Sequence, residues 1–197
     1  NLIDGDTPTF VHADYEERFI EDTFAKIDNY ISLDFSRTYN KNTADIVIYK
    51  CPALQSAMGG QARVPTHPSY PKGTDSTGAI EVYWVKYNEH PLIEGNYSTL
   101  RAYDASTIVH EIAHALSLTH PESDGENTNY NQYDTITSYI WNYDTNASVV
   151  STPTWSDLDI AALQFIWGSE DKFFTTVEGS SGDDLLSGVQ GNDLIDG

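Results

Sequence analysis

The chain has 197 residues, a 39% hydrophobic composition, and 30 Asp and Glu residues against ten Lys and Arg residues, which gives a formal net charge of −20. This length and composition suit one compact domain with a sizeable core, and the negative charge argues against nucleic acid and anionic membrane surfaces as partners. The single cysteine, Cys51, excludes an internal disulfide framework, and no stretch is long and apolar enough to span a bilayer.

The first half of the chain combines one amphipathic helix pattern with two strand patterns. Apolar residues at helical spacing predict a helix over residues 14–33. Apolar runs rich in β-branched and aromatic residues predict strands at 44–49 and 78–85. The segment 51–77 is rich in Gly, Pro, Ser and Thr, which indicates a loop with at most a short strand at 61–64.

The eleven residues from His110 to His120 carry the clearest chemical signal in the chain. His110 and His114 are four residues apart, so a helix places them on one face, where two imidazoles can bind one zinc ion. Glu111 then lies beside a water at the open position of that ion. His120 can reach the metal only if the helix ends near Ser117 and the chain turns back. Three nitrogen ligands and one open position are typical of a catalytic rather than a structural zinc site.

Two further helix patterns flank this motif. One begins at about Ser98 or Asp104 and runs into the motif. The other begins at Ser156, with Asp159 three residues later, and ends at Gly168. The residues between the motif and this closing helix are mostly polar with interspersed aromatics, which indicates loops.

The last part of the chain repeats with a nine-residue period. Residues 182–188 and 191–197 share a Gly–Asp pattern in which Asp184 corresponds to Asp193. This pattern is the Gly- and Asp-rich nonapeptide of calcium-binding parallel β-rolls. Because two repeats provide few complete sites, Asp184 and Asp193 are expected to bind calcium weakly.

These motifs resemble those of the metzincin metalloproteases, and in particular the serralysin group of secreted bacterial proteases. The zinc motif of that group, H-E-x-x-H-x-x-G-x-x-H, is followed by Pro, as it is after His120 here. The group's Met-Ser-Tyr turn is echoed by Thr137–Tyr139, its closing helix by residues 158–168, and its calcium β-roll follows directly. The chain departs from the group at Ser117, where the group has glycine, and at Thr137, where the group has methionine.

The resemblance implies an α+β fold of the metzincin type. A twisted mixed β-sheet would be combined with an N-terminal helix, an active-site helix and a C-terminal helix, followed by the beginning of a parallel β-roll. The zinc protease domain would span residues 1–175, and the calcium-binding repeats would begin in 176–197. Because residues 194–197 repeat the sequence of residues 2–5, the chain is expected to be part of a longer protein. A monomer is expected.

The resemblance also implies the chemistry of the site. One zinc ion would be bound by three histidines, with Glu111 as the general base. Tyr139 would be a further zinc ligand at rest and a hydrogen-bond donor to the oxyanion during turnover. An extended peptide would pair with a sheet edge formed by residues 78–85. The zinc ligands would be His110, His114 and His120. The substrate-binding residues at the edge would be Ala79, Ile80, Glu81 and Trp84.

The leading hypothesis is therefore a secreted, extracellular zinc endopeptidase of bacterial type that acts on peptides or unfolded proteins. The repeats imply type I-like export, and neither nucleic acid nor membrane insertion is expected. Two alternatives remain open. The domain is either a catalytically weak or inactive zinc-bearing module for binding or adhesion within a larger repeat protein, or a protease that processes its own parent chain.

Two structural expectations follow from the departures. Ser117 should adopt a left-handed backbone conformation, because the helix must end there for His120 to return. The turn at Ile136–Tyr139 should be present, with Thr137 beneath the histidines and its hydroxyl hydrogen-bonded locally, because a buried hydroxyl without a partner is costly.

Overall fold

The structure is a computed structural model, and it describes residues 2–3, 7–51, 59–63, 79–87, 92–94, 97, 99–141, 146–170, 175–178 and 193–196. All three predicted helices are present in these residues. They are α1 (Asp14–Asp28), α2 (Ala102–Ala115) and α3 (Asp157–Trp167).

Helix α1 ends five residues before its predicted end at residue 33. The side-chain amide of Asn29 donates to the Ala25 carbonyl over 2.6 Å, and the amide of Tyr30 closes a turn on Ile27. The chain then leaves the helix so that Ile31, fully buried, forms a β-bridge with Ser169 just after α3. The apolar pattern beyond Asp28 therefore reflects packing against the closing helix rather than continued helix.

A three-stranded mixed sheet lies at the centre of the described fold. Its strands are β3 (Ile46–Cys51), β4 (Gly60–Arg63) and β5 (Ile80–Val85), in the order β3-β5-β4. Strand β5 pairs with β3 in parallel and with β4 in antiparallel orientation. The three helices and this sheet confirm the predicted α+β class.

Three two-stranded pairs lie outside this sheet in the described part of the chain. They are β1 (Leu2–Ile3) with β2 (Thr7–Pro8), β6 (Leu92–Ile93) with β7 (Val149–Val150), and β8 (Thr175–Glu178) with β9 (Asp193–Asp196). The last pair is parallel, and each residue of β8 pairs with the residue 18 positions later, which is twice the nine-residue period of the sequence. Asp184 lies outside the described residues, and Asp193 is described only as part of β9, so the calcium expectation stays a prediction.

Helix α2 is the central element of the hydrophobic core. Twelve of its 14 residues are buried, and it packs against β5, β4 and α1. No helix in the described residues has both the length and the apolar composition needed to cross a membrane. Outside α2, the buried members of the core are Phe19, Ile27, Ile31, Trp84, Ile93, Leu100, Leu116, Leu118, Ile136, Trp155 and Leu163.

Helix α1 also buries one carboxylate, that of Glu16, between two lysines. The Lys50 ammonium lies 2.5 Å from Oε2 of Glu16 and the Lys86 ammonium 3.0 Å from Oε1. The Ala13 amide donates to Oε2 over 2.8 Å. Burial raises the pKa of Glu16, but the hydrogen bonds from Lys50, Ala13 and Lys86 outweigh burial, so the pKa is lowered. This cluster joins the start of α1 to β3 and to the residue after β5.

Candidate metal centre

The end of helix α2 turns the chain back toward the helix face that bears the first two histidines. Ser117 has φ 77°, and the amides of Ser117 and Leu118 donate to the carbonyls of His114 and Ala113. This pair of hydrogen bonds around one left-handed residue is a Schellman motif. The expected left-handed conformation of Ser117 is confirmed, and it is what allows His120 to return.

The three histidines of the motif converge on one point. Nε2 of His114 lies 3.0 Å from Nε2 of His110 and 3.2 Å from Nε2 of His120. In a tetrahedral site with zinc–nitrogen bonds of the usual length, ligand nitrogens lie about 3.3 Å apart. The three side chains are therefore close enough to bind one metal ion.

The other ring nitrogens show why these Nε2 atoms need a cation between them. Nδ1 of His110 donates to the Ile136 carbonyl over 2.9 Å, and Nδ1 of His114 donates to the Leu118 carbonyl over 2.7 Å. A carbonyl only accepts, so the proton of each neutral ring is on Nδ1 and Nε2 presents a lone pair. Lone pairs at this distance repel unless a cation lies between them. Backbone carbonyls that fix Nδ1 in this way are also the usual partners of metal-binding histidines.

Burial keeps the three rings neutral. The pKa of His110 is lowered to about 3, chiefly by burial and also by the neighbouring His114 and His120, while the hydrogen bond to Ile136 acts in the opposite direction. Burial also lowers the pKa values of His114 and His120. Neutral imidazole is the form that binds a metal, so the site is in its binding form at neutral pH.

Glu111 is held against strand β4. Its pKa is raised to about 8, because the effect of burial exceeds that of a hydrogen bond from the Ala62 amide, which acts in the opposite direction. Its Oε2 is buried and accepts no hydrogen bond from the described residues. A Cβ added to Gly60 would lie 2.5 Å from Cγ of Glu111, so the close approach of β4 requires glycine at this position. The sequence pattern did not indicate this role for Gly60.

Tyr139 lies against the histidines, as the resemblance implies. The centroid of its ring lies 5.4 Å from that of the His110 ring, in a stacked arrangement, and 4.6 Å from that of the His120 ring. The Tyr139 amide donates to the Gly125 carbonyl over 2.7 Å, and a Cβ at Gly125 would lie 2.5 Å from the tyrosine ring. The loop that follows His120 therefore determines where this ring lies.

The turn that carries Thr137 is closed by a hydrogen bond from the Ser138 amide to the Thr135 carbonyl. Thr137 is buried, its Oγ1 lies 2.9 Å from Oγ1 of Thr135, and it donates to the Thr119 carbonyl over 3.1 Å. The expectation of a local partner for this hydroxyl is confirmed. The turn begins at Thr135, one residue earlier than predicted.

The predicted substrate edge at residues 78–85 is wrong. Strand β5 is the central strand of the sheet, because it pairs with β3 on one side and with β4 on the other. It therefore offers no edge to a peptide, and the strand nearest Glu111 at the end of the sheet is β4. Of the four residues predicted to bind substrate, Ala79, Glu81 and Trp84 are buried and Ile80 is half-buried.

We expect replacement of Ser117 by Gly to leave the protein as stable as before or to stabilise it. Ser117 is exposed, so no packing is lost. Glycine removes a left-handed cost of about 1–2 kcal/mol, and its greater freedom in the unfolded chain offsets about 0.5–1 kcal/mol of that gain. The free energies of unfolding of the wild type, Ser117→Gly and Ser117→Ala, measured in urea, provide the comparison. A glycine variant less stable than the alanine variant would contradict the assigned conformation.

Replacement of Thr137 by Met is expected to change stability more than turnover. The longer side chain must enter a filled position and loses the hydrogen bond to Thr119, so we expect a destabilisation of about 1–3 kcal/mol. Thr137→Ser is the control, because it keeps the hydroxyl and loses one methyl group. If Thr137→Met lowered turnover strongly at unchanged unfolding free energy, the residue would have a more direct part in the chemistry.

No protein-family model matches the chain, and no curated protein matches its sequence. The functional assignment therefore depends on the residues and geometry of the site itself.

Proposed function

We propose that this chain is a zinc-dependent endopeptidase of the serralysin-like, metzincin type. The proposal is supported by the convergence of three Nε2 atoms, two of which present lone pairs because Nδ1 of His110 and His114 donates to backbone carbonyls. A site of three histidines, to which no Cys, Asp or Glu of the described residues adds a ligand, suits zinc with one open position. The resemblance of the sequence motifs supports the same metal.

A bound zinc ion would supply Lewis-acid activation of water and of the scissile carbonyl. Glu111 acts as the general base in its ionised form, which a zinc cation at the histidines would favour. Its Oε2 has no hydrogen-bond donor among the described residues and can take the proton of the attacking water. Glu111 then delivers this proton to the leaving amine. The Ala62 amide holds the other side of the carboxylate, which fixes its orientation during both transfers.

Tyr139 donates a hydrogen bond to the oxyanion that develops on the attacked carbonyl. The contact of its ring with His110 and His120 supports this role. Such donors are most effective when their position is fixed before the reaction. The close packing of Gly125 against the ring is consistent with that requirement.

The substrate is an extended peptide or an unfolded protein. Strand β4 is the outer strand of the described sheet and contacts Glu111, so a peptide that pairs with it would pass the general base. This assignment replaces the edge expected at residues 78–85.

The C-terminal residues form the beginning of a calcium-binding β-roll. The 18-residue offset between β8 and β9 corresponds to two nonapeptides for each turn of the roll, and it supports this reading. The calcium repeats in turn support an extracellular, secreted protein, in keeping with the resemblance.

Hydrolysis of casein tests the proposal. We expect cleavage by the purified chain, loss of cleavage with a zinc chelator, and recovery when zinc is added back in excess of the chelator. A chain that binds one zinc ion and cleaves no unfolded protein would contradict the endopeptidase and support the binding-module alternative. Cleavage that the chelator does not affect would contradict the zinc chemistry.

A further inference from the structure

Asp159 is a buried carboxylate that belongs to helix α3 but is bonded beyond it. The residue is 2% exposed, and no cationic side chain of the described residues pairs with it. A buried carboxylate without a cationic partner is costly unless several hydrogen bonds stabilise it. Ser156 and Asp159 form a capping box, in which the Ser156 hydroxyl accepts from the Asp159 amide and Oδ2 of Asp159 accepts from the Ser156 amide over 2.9 Å. Helix capping does not account for all the hydrogen bonds of this carboxylate, because its oxygens also accept from Thr135 and Ile136.

The hydrogen bonds of Asp159 lead to the metal centre along two branches. In the first, Oδ2 of Asp159 accepts from the Ile136 amide over 3.0 Å, and the carbonyl of Ile136 accepts from Nδ1 of His110 over 2.9 Å. The backbone of Ile136 therefore joins the two groups, because its amide is bonded to Asp159 and its carbonyl is bonded to His110. A shift of Ile136 would move the group that orients His110.

The second branch leads to His120. Oδ1 of Asp159 accepts from the Thr135 hydroxyl over 2.6 Å. Oγ1 of Thr135 accepts from the Thr137 amide over 3.3 Å, and the Thr137 hydroxyl donates over 3.1 Å to the carbonyl of Thr119, the residue before His120. The two branches together connect one carboxylate to two of the three converging histidines.

We propose that Asp159 is a positioning residue for the metal centre, which holds the turn at Thr135–Thr137 so that His110 and His120 face the metal before it binds. The inference rests on the proposed zinc site. Hydrogen-bond partners of metal ligands, when removed, typically cost about 10- to 100-fold in metal affinity. The same loss is expected here, because His110 and His120 of the Asp159→Ala variant must be reoriented each time zinc binds.

The test is the zinc affinity of the metal-free protein, measured by competition with a chromogenic chelator. Asp159→Ala is expected to lower this affinity by about 10- to 100-fold. Asp159→Asn should restore it: the amide oxygen can accept from Ile136 and Ser156, and the amide nitrogen can donate to Thr135, whose hydroxyl then donates to Thr137. Rescue by Asn distinguishes a hydrogen-bonding role from a need for the charge itself.

Asp157→Ala is the matched control, because Asp157 is the other acidic residue in the first turn of α3 and is exposed. The substitution leaves the bonds of Asp159 to Ile136 and Thr135 in place, so the zinc affinity of Asp157→Ala should equal that of the wild type. A zinc affinity of Asp159→Ala equal to the wild type, or an equal loss in Asp157→Ala, would overturn the inference.

A second variant covers the case in which Asp159→Ala does not fold. Thr135→Val keeps the side-chain shape and breaks the second branch, and it should lower zinc affinity by about tenfold. An unchanged affinity in a folded Thr135→Val protein would overturn the inference, as would a wild-type chain that binds no zinc. If the wild type and the variants show the predicted zinc affinities but the wild type cleaves no protein, the result would support the inference and contradict only the proposed endopeptidase function.

Discussion

Replacement of Glu111 by Gln is expected to lower the hydrolysis of protein substrates by a factor of about 10² to 10⁴, the usual contribution of a general base. The amide oxygen of glutamine can still accept from Ala62, so the geometry around β4 should persist. Because burial disfavours the charged form of Glu111, the variant should be at least as stable as the wild type. Casein hydrolysis, zinc affinity and thermal unfolding measured together separate these effects.

Glu126→Gln is the matched control for this experiment. Glu126 is exposed in the loop after His120, so the same chemical change lies near the site without contact with β4. Its hydrolysis should match that of the wild type. If Glu111→Gln retained most of the wild-type activity, another residue would have to serve as the base.

Replacement of Glu16 by Gln is expected to destabilise the fold by about 3–5 kcal/mol, as is usual when one partner of a buried ion pair is removed. The variant leaves the buried ammonium of Lys50 without its negative partner. Glu17→Gln is the control, because Glu17 pairs with Arg37 at the surface, where such pairs contribute about 0–1 kcal/mol. Urea unfolding at neutral pH measures both. Equal effects of the two substitutions would contradict the account of the buried cluster.

The stability difference between the wild type and Glu16→Gln should depend on pH. The pKa of Glu16 is lowered on folding from its ordinary value of 4.5, so the ionised carboxylate stabilises the fold above pH 4.5. This contribution is lost as the pH falls from 4.5 through the lowered folded-state pKa. Because glutamine does not titrate, the difference isolates this group from the histidines of the metal centre. A difference that grew on acidification would contradict the assigned direction.

The metal centre could be predicted from sequence because its constraints are local. The spacing of His110 and His114 determines a shared helix face, and the position of His120 requires the chain to turn near Ser117. A left-handed residue at Ser117 is a direct consequence of that requirement. The hydrogen bond of the Thr137 hydroxyl follows from the cost of burying it without a partner.

The order of the strands could not be predicted because it depends on contacts that the local pattern does not contain. Residues 60–63 form a strand with the sequence Gly-Gln-Ala-Arg, which has no apolar alternation, whereas 80–85 has a strong apolar pattern because it is the central strand. A strong strand pattern therefore indicated burial on both sides, not an edge. Asp159 shows the same limit: its capping position is local, but its partners Thr135 and Ile136 lie more than 20 residues earlier.

The most direct test of the metal centre is anomalous X-ray scattering at the zinc absorption edge from crystals of the zinc-loaded protein. One strong peak is expected between Nε2 of His110, His114 and His120, with the Nδ1 atoms of His110 and His114 still bonded to Ile136 and Leu118. A zinc peak at another position, or His120 directed to solvent beside a bound zinc ion, would contradict it.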